Sequence, residues 1–124
     1  MKKRIITLLA IAGALLIPAL IPSEMPADQQ AISMRKVYPN PFTDGTTFQL
    51  TLPRAARVRI VVHDLLGKHV RLLLQDDNHP AGQFDVPWDG RDESGIPVIP
   101  GVYICSLFSE DSFVTSVKVV KVQG

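Results

Sequence analysis

The sequence has 124 residues, of which 46% are hydrophobic and 20% are charged, a composition typical of an ordinary globular protein with room for one domain. The formal net charge is +1, but three of the 13 basic residues are Lys2, Lys3 and Arg4, and the other 10 stand against 12 acidic residues, a net charge of −2. Because a nucleic-acid-binding protein normally carries a basic surplus that neutralises phosphates, we expect no nucleic-acid partner.

The first residues have the pattern of an export signal. Residues 1–4 begin with Met and are otherwise basic, and residues 5–17 form an apolar run interrupted by Thr7 and Gly13. This order is typical of a secretory signal peptide, which we place at residues 1–22. If Leu20 and Ile21 are counted, the apolar stretch reaches about 17 residues, the lower limit for a membrane span, so a retained N-terminal anchor is the alternative. In both cases the protein is predicted to be exported to the periplasm, the cell surface or the extracellular medium.

A polar, proline-containing linker is predicted at residues 23–33, before a region in which apolar residues recur at every second position. Four alternating stretches are each predicted to be a strand with one buried face: Phe48, Leu50 and Leu52; Val58, Ile60 and Val62; Val70, Leu72 and Leu74; Phe84, Val86 and Trp88. Residues 101–108 and 113–122 are apolar on both faces, which predicts more central strands. The pattern predicts an all-β fold, a single Ig-like antiparallel β-sandwich of about seven strands over residues 34–124. A small closed barrel is the alternative.

Several turn and strand motifs are more specific than the fold. In chain order they are Tyr38-Pro39-Asn40-Pro41-Phe42, Thr46-Thr47-Phe48, Leu52-Pro53, Val58-Arg59-Ile60, Asp64-Leu65-Leu66-Gly67, Trp88-Asp89-Gly90-Arg91-Asp92, Gly95, and Gly101-Val102-Tyr103. In this order and spacing, residues 36–122 resemble the C-terminal sorting domains of the type IX secretion system, and equally the related Ig-like domain of the flagellar hook-capping protein. The Trp-Asp-Gly-Arg-Asp segment, with Gly95 and then Gly101-Val102-Tyr103, is similar to the hook-capping branch. The Tyr-Pro-Asn-Pro opening and the ending Lys118-Val119-Val120-Lys121-Val122 are similar to the sorting branch.

The resemblance to sorting domains implies a non-catalytic exported protein that is recognised by the secretion and surface-attachment machinery of the outer membrane. By resemblance, seven residues fall in the recognised motifs and are predicted to serve this recognition: Pro39, Asn40, Pro41, Gly101, Tyr103, Lys118 and Lys121. The hook-capping resemblance implies the alternative, a structural or adhesive Ig-like module of the cell envelope. Sorting domains normally follow a cargo, whereas here the sorting-type domain makes up nearly all of the predicted mature chain. We therefore expect either that the domain is itself the exported product or that the chain is a remnant or truncated relative.

Elementary physical chemistry gives several of these residues a structural role. Pro39 and Pro41 lack backbone donors and are predicted to hold an extended entry at the first edge of the sandwich, with Asn40 bonding its own backbone in a turn. Trp88 is in phase with the apolar face of its strand and is predicted to lie in the core. The Tyr103 hydroxyl is predicted to anchor a strand. The amphipathic pattern of the last strand requires polar residues but does not explain two lysines.

The sequence contains none of the catalytic motifs that carry common enzyme chemistry. Gly-x-Ser-x-Gly, the phosphate-binding P-loop and His-Glu-x-x-His are absent, so we predict that the protein is not an enzyme and has no cofactor. Cys105, the single cysteine, can form no internal disulfide and is predicted to be a packed apolar residue. His63 and His69 would face each other if Val62 paired with Val70, but a third ligand is not evident, and no metal site is predicted.

Two charged groups admit a functional interpretation. Asp89, Asp92 and Glu93 do not match the ligand spacing of an EF-hand calcium loop and are predicted to form a solvated turn. Three arginines are expected to share the outer face of neighbouring strands: Arg57, Arg59 and Arg71. A solvated face that discourages aggregation explains such a stripe. Contact with anionic cell-surface glycan or lipid head groups is the functional alternative.

Overall fold

The alternating apolar residues form strands whose buried faces meet between two sheets. The computed structural model describes residues 31–124, so the predicted signal peptide and most of the predicted linker lie outside the described residues. The seven strands are β1 (Ser33–Tyr38), β2 (Thr46–Leu52), β3 (Ala56–Asp64), β4 (His69–His79), β5 (Gly82–Trp88), β6 (Gly101–Ser109) and β7 (Ser112–Lys121). Among residues 31–124, no helix is long and apolar enough to cross a membrane.

The strands pair antiparallel in two separate sheets. One sheet has the order β1-β2-β5 and the other the order β4-β3-β6-β7. Two facing antiparallel sheets of this kind are an Ig-like β-sandwich. The predicted fold class is therefore confirmed, and the closed-barrel alternative does not apply to the described residues.

The core consists mainly of the predicted inward faces of β2, β3 and β5. Phe48, Leu50 and Leu52 of β2 lie against Val58, Ile60 and Val62 of β3 and are all nearly inaccessible to solvent. Trp88 is 1% exposed, as predicted. Its ring packs between two other aromatic rings, with centroid distances of 5.3 Å to Phe42 and 5.7 Å to Tyr103. Aromatic contacts at such distances add to the stability that burial alone supplies.

Three strand predictions differ from the structure. In β4 the predicted face of Val70, Leu72 and Leu74 is wrong at Leu72. Leu73 packs against the core instead, because the pairing with β3 shifts between Ile60 and Val61.

The other two differences concern β7 and β1. β6 is central, as predicted, but β7 is an edge strand. Its sequence resembles a central strand because Val120 lies half-buried on its outward side and because Val114, at the bulge, packs against the core out of phase with Val117 and Val119. β1 is absent from the predicted strands, because a register shift between Met34 and Val37 breaks its period of two.

The antiparallel order gathers the family-like motifs at one end of the sandwich. Residues 39–45, 65–68, 89–100 and 122–124 all lie there, because β1, β3, β5 and β7 end where β2, β4 and β6 begin. We call this set the motif end. The loops at residues 53–55, 80–81 and 110–111 lie at the other end of the sandwich. Of their residues, only Pro53 belongs to one of the motifs.

Two glycines of the motif end provide a test of its packing. Gly90 (φ +75°) and Gly95 (φ +83°) both adopt the left-handed conformation, but a Cβ at Gly90 would lie 3.1 Å from the Phe42 ring, whereas a Cβ at Gly95 would meet nothing within 4 Å. We expect Gly95→Ala to cost about 1–3 kcal/mol of unfolding free energy through backbone strain alone. Gly90→Ala should cost about 1–3 kcal/mol more, because Phe42 must also move. Urea denaturation of both variants measures the difference, and equal losses would contradict close packing between Gly90 and Phe42.

Candidate functional site

Asn40 connects the loop after β1 to the C-terminal strand. Its side-chain Nδ2 donates a hydrogen bond to the Lys118 carbonyl at 3.1 Å, and its Oδ1 accepts one from the Val120 amide at 2.9 Å. The prediction that Asn40 bonds its own backbone is therefore wrong. The side-chain amide instead supplies the donor and acceptor that a neighbouring strand would offer to the edge of β7.

The backbone of the Pro-Asn-Pro segment (residues 39–42) continues this pairing. The Phe42 amide donates to the Val120 carbonyl at 2.9 Å, and the Val122 amide donates to the Phe42 carbonyl at 2.8 Å. Pro39 and Pro41 are exposed, and the peptide bond before each is cis. The predicted extended entry to the sandwich is corrected, because β1 precedes the segment, which is a bend that crosses from one sheet to the edge of the other.

The two lysines of β7 have different surroundings. Lys121 is half-buried, and its Nζ donates a hydrogen bond to the Val98 carbonyl at 2.9 Å, which ties β7 to the loop at residues 89–100. Lys118 is exposed, and within residues 31–124 its Nζ has no hydrogen-bond acceptor or carboxylate partner. Folding thus accounts for Lys121, which the sequence pattern did not explain, but not for Lys118.

Tyr103 and Gly101 lie at the start of β6. The Tyr103 hydroxyl donates a hydrogen bond to the Ile99 carbonyl at 2.6 Å, so the predicted anchoring role is observed. Burial, with a smaller effect from the charge of Asp64, raises the pKa of Tyr103 and keeps the hydroxyl protonated as a donor. Tyr103 is 6% exposed and Gly101 is half-buried, so neither offers much surface to a partner.

Carboxylates hold the loop at residues 89–100 in place. Asp89 Oδ1 accepts hydrogen bonds from Arg71 Nη1 at 2.9 Å and from the Arg91 amide at 3.0 Å. Asp92 Oδ1 accepts from the amides of Ser94 and Ile96 at 2.9 and 3.0 Å. The predicted solvated turn is thus exposed to water but internally bonded. Across the described part of the chain, no three His, Cys, Asp or Glu side chains are grouped so that they could hold a metal ion.

Glu93 docks the same loop on the edge of β4. Its amide donates to the Val70 carbonyl at 3.1 Å, and its Oε2 accepts from the Leu72 amide at 2.6 Å and from His69 Nε2 at 2.9 Å. The hydrogen bond with His69, followed by that from the Leu72 amide, holds the pKa of Glu93 below its ordinary value. Glu93 thus covers part of the β4 edge as Asn40 covers part of the β7 edge.

The two histidines of the β3–β4 hairpin are neighbours but act separately. Val62 pairs with Arg71 rather than with Val70, and a register shift then brings His63 opposite His69. His63 lies within hydrogen-bond distance, 3.0 Å, of the Ser106 hydroxyl, whereas His69 bonds Glu93. The two imidazoles therefore have different partners.

The predicted arginine stripe is largely matched by carboxylates. Arg57 Nη1 lies 2.8 Å from Asp111, and Arg71 bonds Asp89 as described above. The Arg59 guanidinium stacks over the Phe108 ring at 4.3 Å from its centroid. These pairings leave little unmatched positive charge that could bind an anionic glycan. Contact with a cell-surface glycan therefore stays a prediction without structural support.

The buried thiol of Cys105 has the packed role predicted for it. Cys105 is 0% exposed, and burial strongly raises the pKa of its thiol. Because the thiolate is the reactive form, the thiol is inert at neutral pH.

An apolar surface at the motif end was not predicted from the sequence. Leu65 and Leu66, in the β3–β4 turn, are 67% and 94% exposed, and Ile96 and Ile99 of the neighbouring loop are 59% and 76% exposed. They border an open groove of about 570 Å³. The signal for it is the Leu-Leu pair itself, since the middle of a tight turn normally carries polar residues or glycine.

Comparison with known proteins shows one family match and several structural likenesses. The family model of the FlgD Ig-like domain matches residues 37–112. Dimeric latent PorU from Porphyromonas gingivalis is similar in structure, with a TM-score of 0.62, 16% identity, and coverage of 76% of this chain and 9% of PorU. At this identity the likeness supports the fold alone. No curated protein sequence matches the chain.

Two further solved structures are similar with lower TM-scores. PorZ, an essential surface component of the type-IX secretion system of P. gingivalis, has a TM-score of 0.47 and 23% identity, covering 82% of this chain and 13% of PorZ. FlgD from P. aeruginosa has a TM-score of 0.48 and 24% identity, covering 73% of this chain and 74% of FlgD. The chain thus spans only a small part of the length of PorU and PorZ.

The Asn40 contact predicts a measurable loss of stability. Asn40→Ala removes two hydrogen bonds to β7, each with a net value of about 0.5–1.5 kcal/mol, so we expect a loss of about 1–3 kcal/mol in unfolding free energy. The matched control is Asn78→Ala. Asn78 is exposed at the far end of the sandwich, and its side chain makes no hydrogen bond within residues 31–124, so this variant should change the unfolding free energy little. Thermal and urea unfolding measure both. Equal effects of the two variants would contradict the role of Asn40.

The lowered pKa of Glu93 predicts a pH dependence with a definite sign. Because the folded-state pKa lies below the unfolded value, the carboxylate stabilises the fold above the ordinary value of 4.5, and this contribution is lost as the pH falls through the folded-state pKa. The stability difference between the wild type and Glu93→Gln should therefore shrink between about pH 6 and about pH 3. Urea denaturation across this range measures it, and a constant difference would show that the carboxylate charge is not responsible.

Proposed function

Because the chain belongs to the FlgD Ig-like domain family, a family of non-enzymatic structural modules, we propose that it is a non-catalytic exported protein of the sorting-domain type. In this proposal the secretion and surface-attachment machinery of the outer membrane recognises its motif end. Residues 1–22 act as the signal peptide and residues 23–33 as the linker to the sandwich. The protein then acts in the periplasm, at the cell surface or outside the cell.

One observation carries the proposal: the Pro-Asn-Pro segment and the C-terminal strand, which both resemble sorting domains, are hydrogen-bonded to each other. Asn40 and Phe42 bond the backbone of β7 between Lys118 and Val122. Two motifs that are far apart in the sequence thereby form one continuous surface. A partner that recognised both would bind a single folded site.

The predicted recognition residues then divide into two groups. Four are exposed and can contact a partner directly: Pro39, Asn40, Pro41 and Lys118. Three hold this surface in place and contact a partner less: Gly101, Tyr103 and Lys121. This division depends on burial and bonding. Variants of Pro39, Pro41 and Lys118 are expected to alter recognition without altering the fold, whereas Asn40 also bonds β7.

A second function, that of a structural or adhesive Ig-like module of the cell envelope, has its own support. The family match covers residues 37–112 and thus ends where β7 begins. Lys118 and Lys121, which carry the resemblance to sorting domains, therefore lie outside it. A module of this kind would not depend on exposed residues of the Pro-Asn-Pro segment for its delivery.

Proline substitutions at the two ends of the sandwich separate these functions. For a sorting domain, we expect the double variant Pro39→Ala, Pro41→Ala to be delivered to the surface of the native organism at least several-fold less than the wild type. Pro80→Ala, an exposed proline in the loop at the other end, is the matched control and should be delivered normally. Fractionation and surface proteolysis measure delivery, and thermal unfolding of the purified variants checks that they fold.

The mass of the native protein completes this experiment. A surface species that lacks the leader and the C-terminal region, or carries a large glycolipid adduct, supports the sorting function. A species that lacks only the leader, remains unmodified in the periplasm and is unaffected by either proline variant supports the structural module and overturns the sorting proposal.

A further inference from the structure

The sheet edges of the sandwich are protected to different degrees. An edge strand exposes backbone donors and acceptors that can pair with another chain, and charged residues, prolines and bulges discourage such pairing. Within residues 31–124, the edges formed by β1, β5 and the distal half of β4 carry such residues: Arg35 and Lys36, Asp85 and Pro87, and Asp76 and Asp77. Glu93 covers the other half of β4.

The edge of β7 is only half covered. Asn40 and Phe42 bond it from Lys118 to Val122, but residues 112–117 (Ser-Phe-Val-Thr-Ser-Val) contain no charge and no proline. A bulge opposite Leu107 and Phe108 interrupts the strand at its start, so its regular part begins at Thr115. Strands without charge or proline are the ones that pair readily with a further strand.

Backbone groups in this regular part point away from the sheet. The Lys118 carbonyl and the Val120 amide face Asn40 rather than β6. Because orientation alternates along an antiparallel strand, the amide and carbonyl of Ser116 and the amide of Lys118 face outward too. No strand among the described residues is hydrogen-bonded to them, since β7 ends its sheet, although β1 lies close to β7.

Charges at the two ends of the open segment are complementary. Lys118 is exposed, with no acceptor for its Nζ among residues 31–124. At the start of β7, the turn of Glu110 and Asp111 contributes two carboxylates. Glu110 accepts a hydrogen bond from the Arg57 backbone amide, Asp111 accepts one from the Arg57 guanidinium, and the Asp111 side chain is 80% exposed. One end of the segment is thus basic and the other acidic.

We propose that two copies of the chain pair β7 against β7, antiparallel and centred on Thr115, so that the two four-stranded sheets become one. The residues that follow Thr115 on one copy then run alongside residues 112–114 of the other, which brings Lys118 close to Ser112 and Asp111. The contact occurs twice by symmetry. Because Asn40 and Phe42 already cover the β7 edge from Lys118 onward, the second copy can pair only as far as Lys118. This limit sets the register of the two strands. This dimer shares Lys118 with the proposed recognition surface but does not use the exposed prolines, so the proline variants and the dimer experiments test the two proposals separately.

Charge reversal tests the pairing. We expect the wild type to form a reversible dimer, and Lys118→Glu, which places a carboxylate beside Glu110 and Asp111, to weaken dimerisation at least tenfold. Adding Asp111→Lys to that variant should restore it. Lys68→Glu, an exposed lysine in the β3–β4 turn, is the matched control and should dimerise like the wild type. Sedimentation over a range of concentrations measures all four, and thermal unfolding checks their folding.

Cross-linking provides a second test that does not depend on charge. Thr115 faces its own copy across the axis, as a pair with Cα atoms about 4.5 Å apart, a distance that a disulfide spans. Thr115→Cys should therefore cross-link on mild oxidation, whereas Ser94→Cys, in an exposed loop of the motif end, should not. A wild type that stays monomeric at high concentration, a Lys118→Glu variant that dimerises normally, or the absence of the Thr115→Cys cross-link would overturn the proposal.

Discussion

The backbone groups at the edges of the four-stranded sheet are the constraint that organises this molecule. Half of the donors and acceptors of an edge strand have no neighbouring strand. Near the motif end, Asn40 satisfies those of β7 and Glu93 satisfies those of β4, each through side-chain atoms that take the place of a peptide group. Asn40 and its two partners are 78 and 80 residues apart in the sequence. A single amide therefore joins the loop after the first strand to the last strand.

These edge contacts also position the loops around the Trp88 ring. When Asn40 and the Phe42 backbone bind β7, the Phe42 side chain is placed against Trp88. On the other side, Tyr103 packs against Trp88 while its hydroxyl bonds the Ile99 carbonyl. The aromatic contacts and the edge hydrogen bonds thus support the same loops. This double support explains why the motif residues are concentrated at one end of a sandwich whose strands are otherwise uniform.

The sequence predicts most of the fold and less of the site, for a physical reason. Strand faces such as Val58, Ile60 and Val62 are determined by a local period of two, and the burial of Trp88 follows from its phase. Asn40 and Glu93 could not be assigned, because their side chains can bond a local turn or a distant edge equally well, and only the tertiary arrangement decides. The edge position of β7 was missed for a related reason, since a valine on the outward side is equally compatible with a neighbouring strand and with a covering loop. The register shift before His63 likewise leaves no pattern in the sequence.

The fold limits what a partner can recognise at this end. Gly101, Tyr103 and Lys121 contribute mainly to the surface's shape, because their side chains or backbones are buried or bonded internally. Removing the last residues would therefore delete Val119 from the core and the partners of Asn40, so folding and recognition would be lost together. Lys118 differs, because it lies at the boundary between the covered and the open parts of the β7 edge. A β7–β7 dimer would cover Lys118 and leave Pro39 and Pro41 exposed, so dimerisation and recognition by the outer-membrane machinery would compete for one residue and share no other.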